Sequence, residues 1–248
     1  MINLKSPQEI ELMAVGGKIS AQVLGETLGI IKPGVTTLEL DQFAEKRMLE
    51  LGAKPSFKGF EGYRFSTCIN INDGIVHGIP GKYVIQEGDV VSVDLGVIYQ
   101  GFHTDTSWTV LAGKGSRQNE KFLEAGRRAL AKSIKACKLG NRIGDISAVM
   151  QTEIEGSGYN VVRDLVGHGV GRELHEEPQV PCYGRAGIGP RLSEGLVIAI
   201  EVIYTSGSQK LKVMDDGWTM ATKDGSISGL FEQTVAIERG MPKILTAS

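Results

Sequence analysis

Apolar positions recur along this chain first at helical and then at strand spacing, and the whole progression comes round twice. Ser6-Pro7-Gln8-Glu9 combines an N-cap serine, a proline at the first helical position and a glutamate placed to close a capping box, which predicts a helix to about Leu28. Lys32-Pro33-Gly34 ends that unit. Thr36-Thr37-Leu38-Glu39 offers a second capping box, and Leu40, Phe43, Ala44, Met48 and Leu51 follow at helical spacing until Gly52 stops the run. Short strands are expected over 65–71 and 84–85, with a loop over 72–81 between them. From Val90 to Val110 two β-branched runs flank Gln100-Gly101, the pattern of a β-hairpin. After Ser116 the order restarts: a helix to about Cys137, a break at Gly140, a helix over 145–155, a stop at Ser157-Gly158, and strands.

The hairpin carries the first chemistry. If Gln100-Gly101 forms the turn, Gly96 sits opposite Asp105, and Asp94 lies at the diagonal position on the same face, roughly 5–8 Å away. Two carboxylates so placed in a strand-rich core repel, so one is protonated or a cation holds both. An internal repeat supplies a second set. Glu87-Gly88-Asp89-Val90-Val91-Ser92-Val93-Asp94 matches Glu194-Gly195-Leu196-Val197-Ile198-Ala199-Ile200-Glu201, with a carboxylate closing each copy, and His77-Gly78-Ile79 is echoed by His168-Gly169-Val170. The expectation is one catalytic domain over 1–248 built from two α-α-β-β halves, roughly 1–112 and 113–248, with a site at their interface. Glu201, expected at the end of an apolar strand, and Glu232 in Gly229-Leu230-Phe231-Glu232 both interrupt apolar runs. Oxygen-rich ligation with one imidazole suits two hard or borderline divalent ions.

Composition narrows the class. The 27 basic and 29 acidic residues leave a net charge of −2, which gives no basic stripe for nucleic acid or an anionic membrane. Three scattered cysteines, Cys68, Cys137 and Cys182, have no CxxC spacing, so a disulfide framework or a zinc module is not expected and a reducing compartment fits. No window reaches the ~18 apolar residues of a membrane span, and the N-terminal residues lack a cleavable signal. A cytoplasmic protein is the expectation.

The sequence resembles the type I methionine aminopeptidases, essentially end to end. The matching pieces are His77-Gly78-Ile79-Pro80, Asp94-Leu95-Gly96-Val97, Gly101-Phe102-His103-Thr104-Asp105, Gly167-His168-Gly169-Val170-Gly171-Arg172, His175-Glu176-Glu177-Pro178, Glu201 and Glu232. The resemblance implies an α+β "pita-bread" fold, two pseudo-symmetric halves around a curved antiparallel sheet. It implies two divalent ions (cobalt, manganese, iron, zinc or nickel): Asp94 and Asp105 on one, Asp105 and Glu232 bridging, His168 and Glu201 completing the second. His77 and His175 then contact substrate, and Phe60, Tyr63, Cys68 and Trp218 match neighbourhoods that line a methionine pocket. The departures are Val202 where a proline is usual, Leu174 where an aromatic is common, and Glu61 where a histidine is common. His103, two residues before Asp105, faces the same way but has no metal position left to fill.

The implied chemistry is peptide hydrolysis. Two divalent ions lower the pKa of a shared water, which attacks a carbonyl held against one of them. Glu201 is placed by the resemblance to shuttle a proton to the leaving amine, and His77 and His175 to hydrogen-bond the oxyanion and the scissile amide. The implied partners are N-termini of nascent polypeptides near the ribosome, bound by a monomer without nucleic acid or membrane. Prolidases and proline-specific aminopeptidases share the ligand types but generally carry a further N-terminal domain, whereas here the first capped helix leads directly into the catalytic frame. A metal-free binding protein on this fold usually loses ligands, and none is lost. Both the zinc-binding extension of eukaryotic type I enzymes and the helical insertion of type II enzymes are missing, so a compact bacterial-type enzyme is expected.

Overall fold

Both capping boxes form in the computed structural model, which describes residues 2–247. Ser6 N–H donates to the Glu9 carboxylate at 2.8 Å while Ser6 Oγ accepts from Glu9 N–H, and Thr36 and Glu39 repeat the exchange, with the Thr36 N–H bond at 2.7 Å. The helices they start are α1 (Pro7–Gly29) and α2 (Thr37–Glu50). The first-half strands are β1 (Lys54–Pro55), β2 (Thr67–Ile71), β3 (Gly74–Val76), β4 (Val90–Tyr99) and β5 (Phe102–Leu111). Helices α3 (Arg117–Ala136) and α4 (Ile143–Glu155) open the second half. Its strands are β6 (Asn160–Val161), β7 (Val166–Gly169), β8 (Glu176–Pro181), β9 (Val197–Thr205), β10 (Leu211–Val213), β11 (Met220–Thr222), β12 (Ser228–Ala236) and β13 (Lys243–Ile244).

Two expectations need correction. Residues 84–85 form no strand: Val84 makes an isolated bridge with Thr36, and Ile85 exchanges backbone hydrogen bonds with Gly34 and Val35, so this segment closes the turn between α1 and α2. The span 72–81 is not all loop, because β3 lies inside it and pairs with β11, far along the chain.

The main sheet runs β1-β4-β5-β12-β9-β7-β8, with β2 also on β4, β6 on β9 and β13 on β12, and every pairing is antiparallel. A separate three-stranded sheet joins β10, β11 and β3. This is the α+β pita-bread arrangement. Strand alternation decides which side chains meet the helices. Val91, Val93, Leu95 and Val97 of β4 are fully buried in one core with Val23, Leu24, Leu40 and Met48 of α1 and α2. Ile198, Ile200 and Val202 of β9 do the same with Phe122 and Leu130 of α3 and Ile146 and Met150 of α4. Each such side chain contributes roughly 1.5–3 kcal/mol of burial free energy, which sets the register and forces the intervening residues to the opposite face. On β4 those residues are Ser92, Asp94 and Gly96; on β9 they include Ala199 and Glu201. No described helix is long and apolar enough to cross a membrane.

Candidate metal centre and active site

One row of directly opposed residues crosses five strands. Cys68 on β2 pairs with Asp94 on β4, Asp94 with Ser107 on β5, Ser107 with Glu232 on β12, and Glu232 with Glu201 on β9. Directly paired residues share a face, so the carboxylates of this row all point away from the helices. One step along the strands a second row begins. Asp105 lies two residues before Ser107, opposite Gly96, and His168 on β7 faces Ala199, two residues before Glu201. Threonines lock the height of the rows: Thr106 Oγ1 donates to the Glu232 carbonyl at 3.0 Å, and Thr234 Oγ1 donates to the Asp105 carbonyl at 2.7 Å. Glu201 sits mid-strand with β9 continuing to Thr205, not at a strand end.

Ligand-type atoms of Asp105, His168 and Glu232 lie within 4.8 Å of one another. His168 Nε2 is 3.5 Å from Glu201 Oε1 and 3.8 Å from Asp105 Oδ2. Its other nitrogen, Nδ1, is 2.9 Å from the Gly169 carbonyl, an acceptor only, so Nδ1 carries the proton and Nε2 turns a lone pair toward the carboxylates. Burial holds the imidazole pKa down to about 4, with His175 beside it adding to the effect. The lone pair therefore faces the carboxyl oxygens. The four carboxyls are all pushed up: Asp94 by burial to about 7; Glu201 by burial and then Asp94; Asp105 by burial and then Asp94 and Glu201; Glu232 by burial and then Asp105, Glu201 and Asp94. Asp94 Oδ1 and Glu232 Oε1 are buried without a hydrogen-bond partner. Buried polar atoms are ordinarily satisfied. A cation among these oxygens and Nε2 would resolve both the repulsion and the orphaned atoms, so the donor set fits a divalent metal.

The rows floor a cavity of about 550 Å³. Phe57, Phe60, Tyr63, Cys68, Leu174 and Trp218 supply its apolar walls, and His77 and His175 open onto it. The Trp218 and Tyr63 rings meet edge to face at 5.1 Å, and the Tyr63 hydroxyl donates to the carbonyls of Thr67 and Gly78, which fixes the ring. His77 has φ of 57°, an uncommon backbone for a non-glycine residue. The next residue holds it there: Gly78 N–H donates to Asn70 Oδ1 at 2.9 Å, its carbonyl accepts from Ile69 N–H at 2.9 Å, and a Cβ at Gly78 would overlap the Ile69 carbonyl. His175 is wedged edge to face between Phe60 at 5.1 Å and His168 at 4.5 Å. Burial lowers the pKa of both, with His175 adding to the effect at His77, so both are neutral at pH 7.

Every site residue named from the sequence therefore lines one cavity. His103 does not; its Nδ1 hydrogen-bonds Ser56 Oγ at 2.8 Å. Sequence reasoning missed Phe57, Val76, Gln179 and Ile203, which also line the cavity. Val76, next to His77, and Ile203, two residues after Glu201 on the same strand face, had a positional signal; Phe57 and Gln179 had none.

The family model of metallopeptidase family M24 matches residues 11–239. A methionine aminopeptidase of Clostridium perfringens is 46% identical over 250 residues, covering 99% of both chains. The crystal structure of a methionine aminopeptidase from Thermotoga maritima superposes with a TM-score of 0.98 at 42% identity, covering 100% of both chains. The prolidase from Pyrococcus furiosus matches with a TM-score of 0.80 at 25% identity, covering 99% of this chain but 65% of its own.

Proposed function

The chain belongs to metallopeptidase family M24, and from that premise we propose that it is an aminopeptidase that removes N-terminal methionine from peptides and nascent proteins whose second residue is small. The observation that carries the reading is the floor of four raised carboxyls and one lone-pair-bearing imidazole beneath an aromatic and thiol-walled cavity. Asp94, Asp105, His168, Glu201 and Glu232 would together hold two divalent ions. The two orphaned oxygens support this assignment. The ions would be manganese, iron, cobalt, zinc or nickel, whose order such donors set only in part. When bound, they supply Lewis acidity that brings the pKa of a water toward neutrality and polarises a carbonyl.

The chain's own groups do the rest. Phe60, Tyr63, Cys68 and Trp218 hold the thioether side chain, with sulfur–aromatic contacts worth roughly 0.3–1.5 kcal/mol. The cavity lining contains carboxylates and no lysine or arginine, so it accepts the cationic α-amino group and fixes the first peptide bond above the floor. Neutral His77 and His175 each offer one N–H and one lone pair, so between them they donate to the carbonyl oxygen and accept from the N–H of the scissile amide. Glu201, on the cavity floor, takes the proton from water and passes it to the leaving amine. We further assign the chain a single catalytic domain over 1–248 with halves at roughly 1–112 and 113–248. We place it in the cytoplasm as a monomer acting on nascent chains near the ribosome; three free, buried cysteines fit a reducing compartment.

The test is kcat/KM for Met-Ala-Ser, Met-Leu-Ser, acetyl-Met-Ala-Ser and Ala-Pro with added manganese or cobalt. Met-Ala-Ser is expected to be the best substrate and the acetylated peptide to be inert. Ala-Pro as the best of the four would replace this reading with prolidase activity.

A further inference from the structure

Beneath the His175 loop lies an ion pair that the reaction itself does not call for. Lys5 Nζ is 2.6 Å from Glu176 Oε2, and both side chains are 4% exposed. The N-terminal segment is anchored at the same point, since Lys5 N–H donates to the Gly195 carbonyl at 2.7 Å and Lys5 Nζ also reaches the Asn3 carbonyl at 3.1 Å. Glu176 uses its two oxygens differently. Oε2 takes Lys5, while Oε1 accepts from the backbone N–H of Arg172 at 2.8 Å and of Glu173 at 3.3 Å. One carboxylate thus closes the turn that carries His175 and ties it to Lys5.

The loop leaves no slack around this pair. A Cβ on Gly171 would come within 2.6 Å of Lys5 Nζ and 2.7 Å of Glu176 Oε1, so glycine there lets the backbone lie directly on the lysine. The Gly171 carbonyl accepts from His103 N–H at 2.7 Å, and Arg172 lies 4.7 Å over the Phe102 ring while pairing with Glu9 of α1 at 2.7 Å. Of these ties, the buried one is Lys5–Glu176; Arg172 is largely exposed. Removing one partner of a buried pair strands the other charge, which must then draw in water or move. Here the stranded group would be the carboxylate next to His175.

We propose that Lys5 is a positioning residue for catalysis: through Glu176 it holds the 171–176 turn so that the His175 imidazole stays over the carboxylate floor. The proposal rests on the reading of His175 as a substrate-contacting group given above. Nothing in the local sequence hints at it, because Lys5 and Glu176 are 171 positions apart.

The test is a double-mutant cycle with Met-Ala-Ser in the manganese-loaded enzyme. Lys5→Met is expected to lower kcat/KM by ~10-fold or more, the scale of a small misplacement of a catalytic group. In a His175→Ala background the same change is expected to cost ~2-fold or less, since the group it positions is already gone. A second measurement needs no turnover. The chain has 4 histidines, so selective isotope labelling resolves each imidazole by NMR, and Lys5→Met is expected to shift the His175 resonances and leave those of His77 in place. Should Lys5→Met fail to fold, Glu176→Gln enters the same cycle with the same expectations. Equal losses in both backgrounds, or an unmoved His175 signal, would overturn the positioning role while leaving the aminopeptidase reading intact. An unsubstituted enzyme that does not cleave Met-Ala-Ser would overturn both.

Discussion

Glu201 and Glu232 stand directly opposite each other on neighbouring strands, β9 and β12, in the interior of the sheet. Like charges at a directly opposed pair weaken a sheet, and burial sharpens the conflict. Neighbouring strands would ordinarily exclude such a pair. It persists because the apolar residues on either side of each glutamate are locked into the helix-covered core. The fold therefore carries a local electrostatic conflict that protons or cations relieve.

The metal-free protein is expected to lose stability as pH rises from about 6.5 through neutrality. Carboxyls whose folded pKa lies above the unfolded value of about 4 keep protons that the unfolded chain has released, so stability falls as pH climbs through the folded pKa. The loss begins near the unfolded value and runs up to each folded pKa, so Asp94, raised to about 7, contributes it up to neutrality, and the raised Asp105, Glu201 and Glu232 add to it with the same sign. The histidines, all held below their usual value, act with the opposite sign, but only below about pH 6.5, where unfolded imidazoles take up protons. Calorimetric Tm values in EDTA across this range measure the effect, and a flat or rising profile would contradict it. Manganese at about 100 times its Kd is expected to add roughly 5–10 °C.

Asp94→Asn and Glu232→Gln are expected to keep the fold while losing metal and turnover. Each removes a charge from an oxygen-rich cluster in which that residue has an orphaned buried atom. Turnover is expected to fall by roughly 10³-fold, the scale of losing preorganised charge stabilisation. Calorimetric titration with manganese decides the point: undiminished two-site binding in either variant would remove that residue from the ligand set.

Trp218→Ala is expected to lower kcat/KM for Met-Ala-Ser by about 10–100-fold, mostly through KM, as one wall of the side-chain pocket is lost. Tyr63 keeps its hydroxyl anchors to Thr67 and Gly78 in this variant, so its ring stays ordered. Steady-state kinetics check this, and an unchanged KM would place the thioether elsewhere in the cavity.

Gly167→Ala is expected to destabilise the chain by about 1–3 kcal/mol and to weaken metal affinity together with it. The added methyl would stand 2.5 Å from the Ala199 carbonyl and 3.2 Å from Glu201 N, prising β7 from β9 where His168 and Glu201 meet. Gly25→Ala on the exposed face of α1, where nothing lies within 4 Å, is the control and is expected to stabilise by about 0.5–1 kcal/mol. Chemical denaturation of both, with and without manganese, separates the two sites.

What the sequence by itself determined is everything whose cause lies within a few residues. Capping boxes join positions three apart, so α1 and α2 could be located from Ser6, Glu9, Thr36 and Glu39. A two-residue turn at Gln100-Gly101 dictates hairpin register, so the pairing of Gly96 with Asp105 followed from counting. Family resemblance added residues that counting could not connect, His175 and Trp218 among them.

Tertiary structure alone decided which distant strands lie side by side and at what height. Alternation shows that Glu201 and Ile200 face opposite ways, but not that Glu201 meets Glu232, which depends on how β9 and β12 slide past each other. A polar residue breaking an apolar run reads as a strand end until a cavity is there to receive it, which is why Glu201 proved to be interior. The pair Val84-Ile85 looked like a strand because apolar composition carries no information on partners, and its partners turned out to be the turn residues Gly34, Val35 and Thr36. Lys5 and Glu176 show the same limit from the other side. An ion pair is visible only when the chain has closed, because Coulomb attraction depends on distance in space and not on position in sequence.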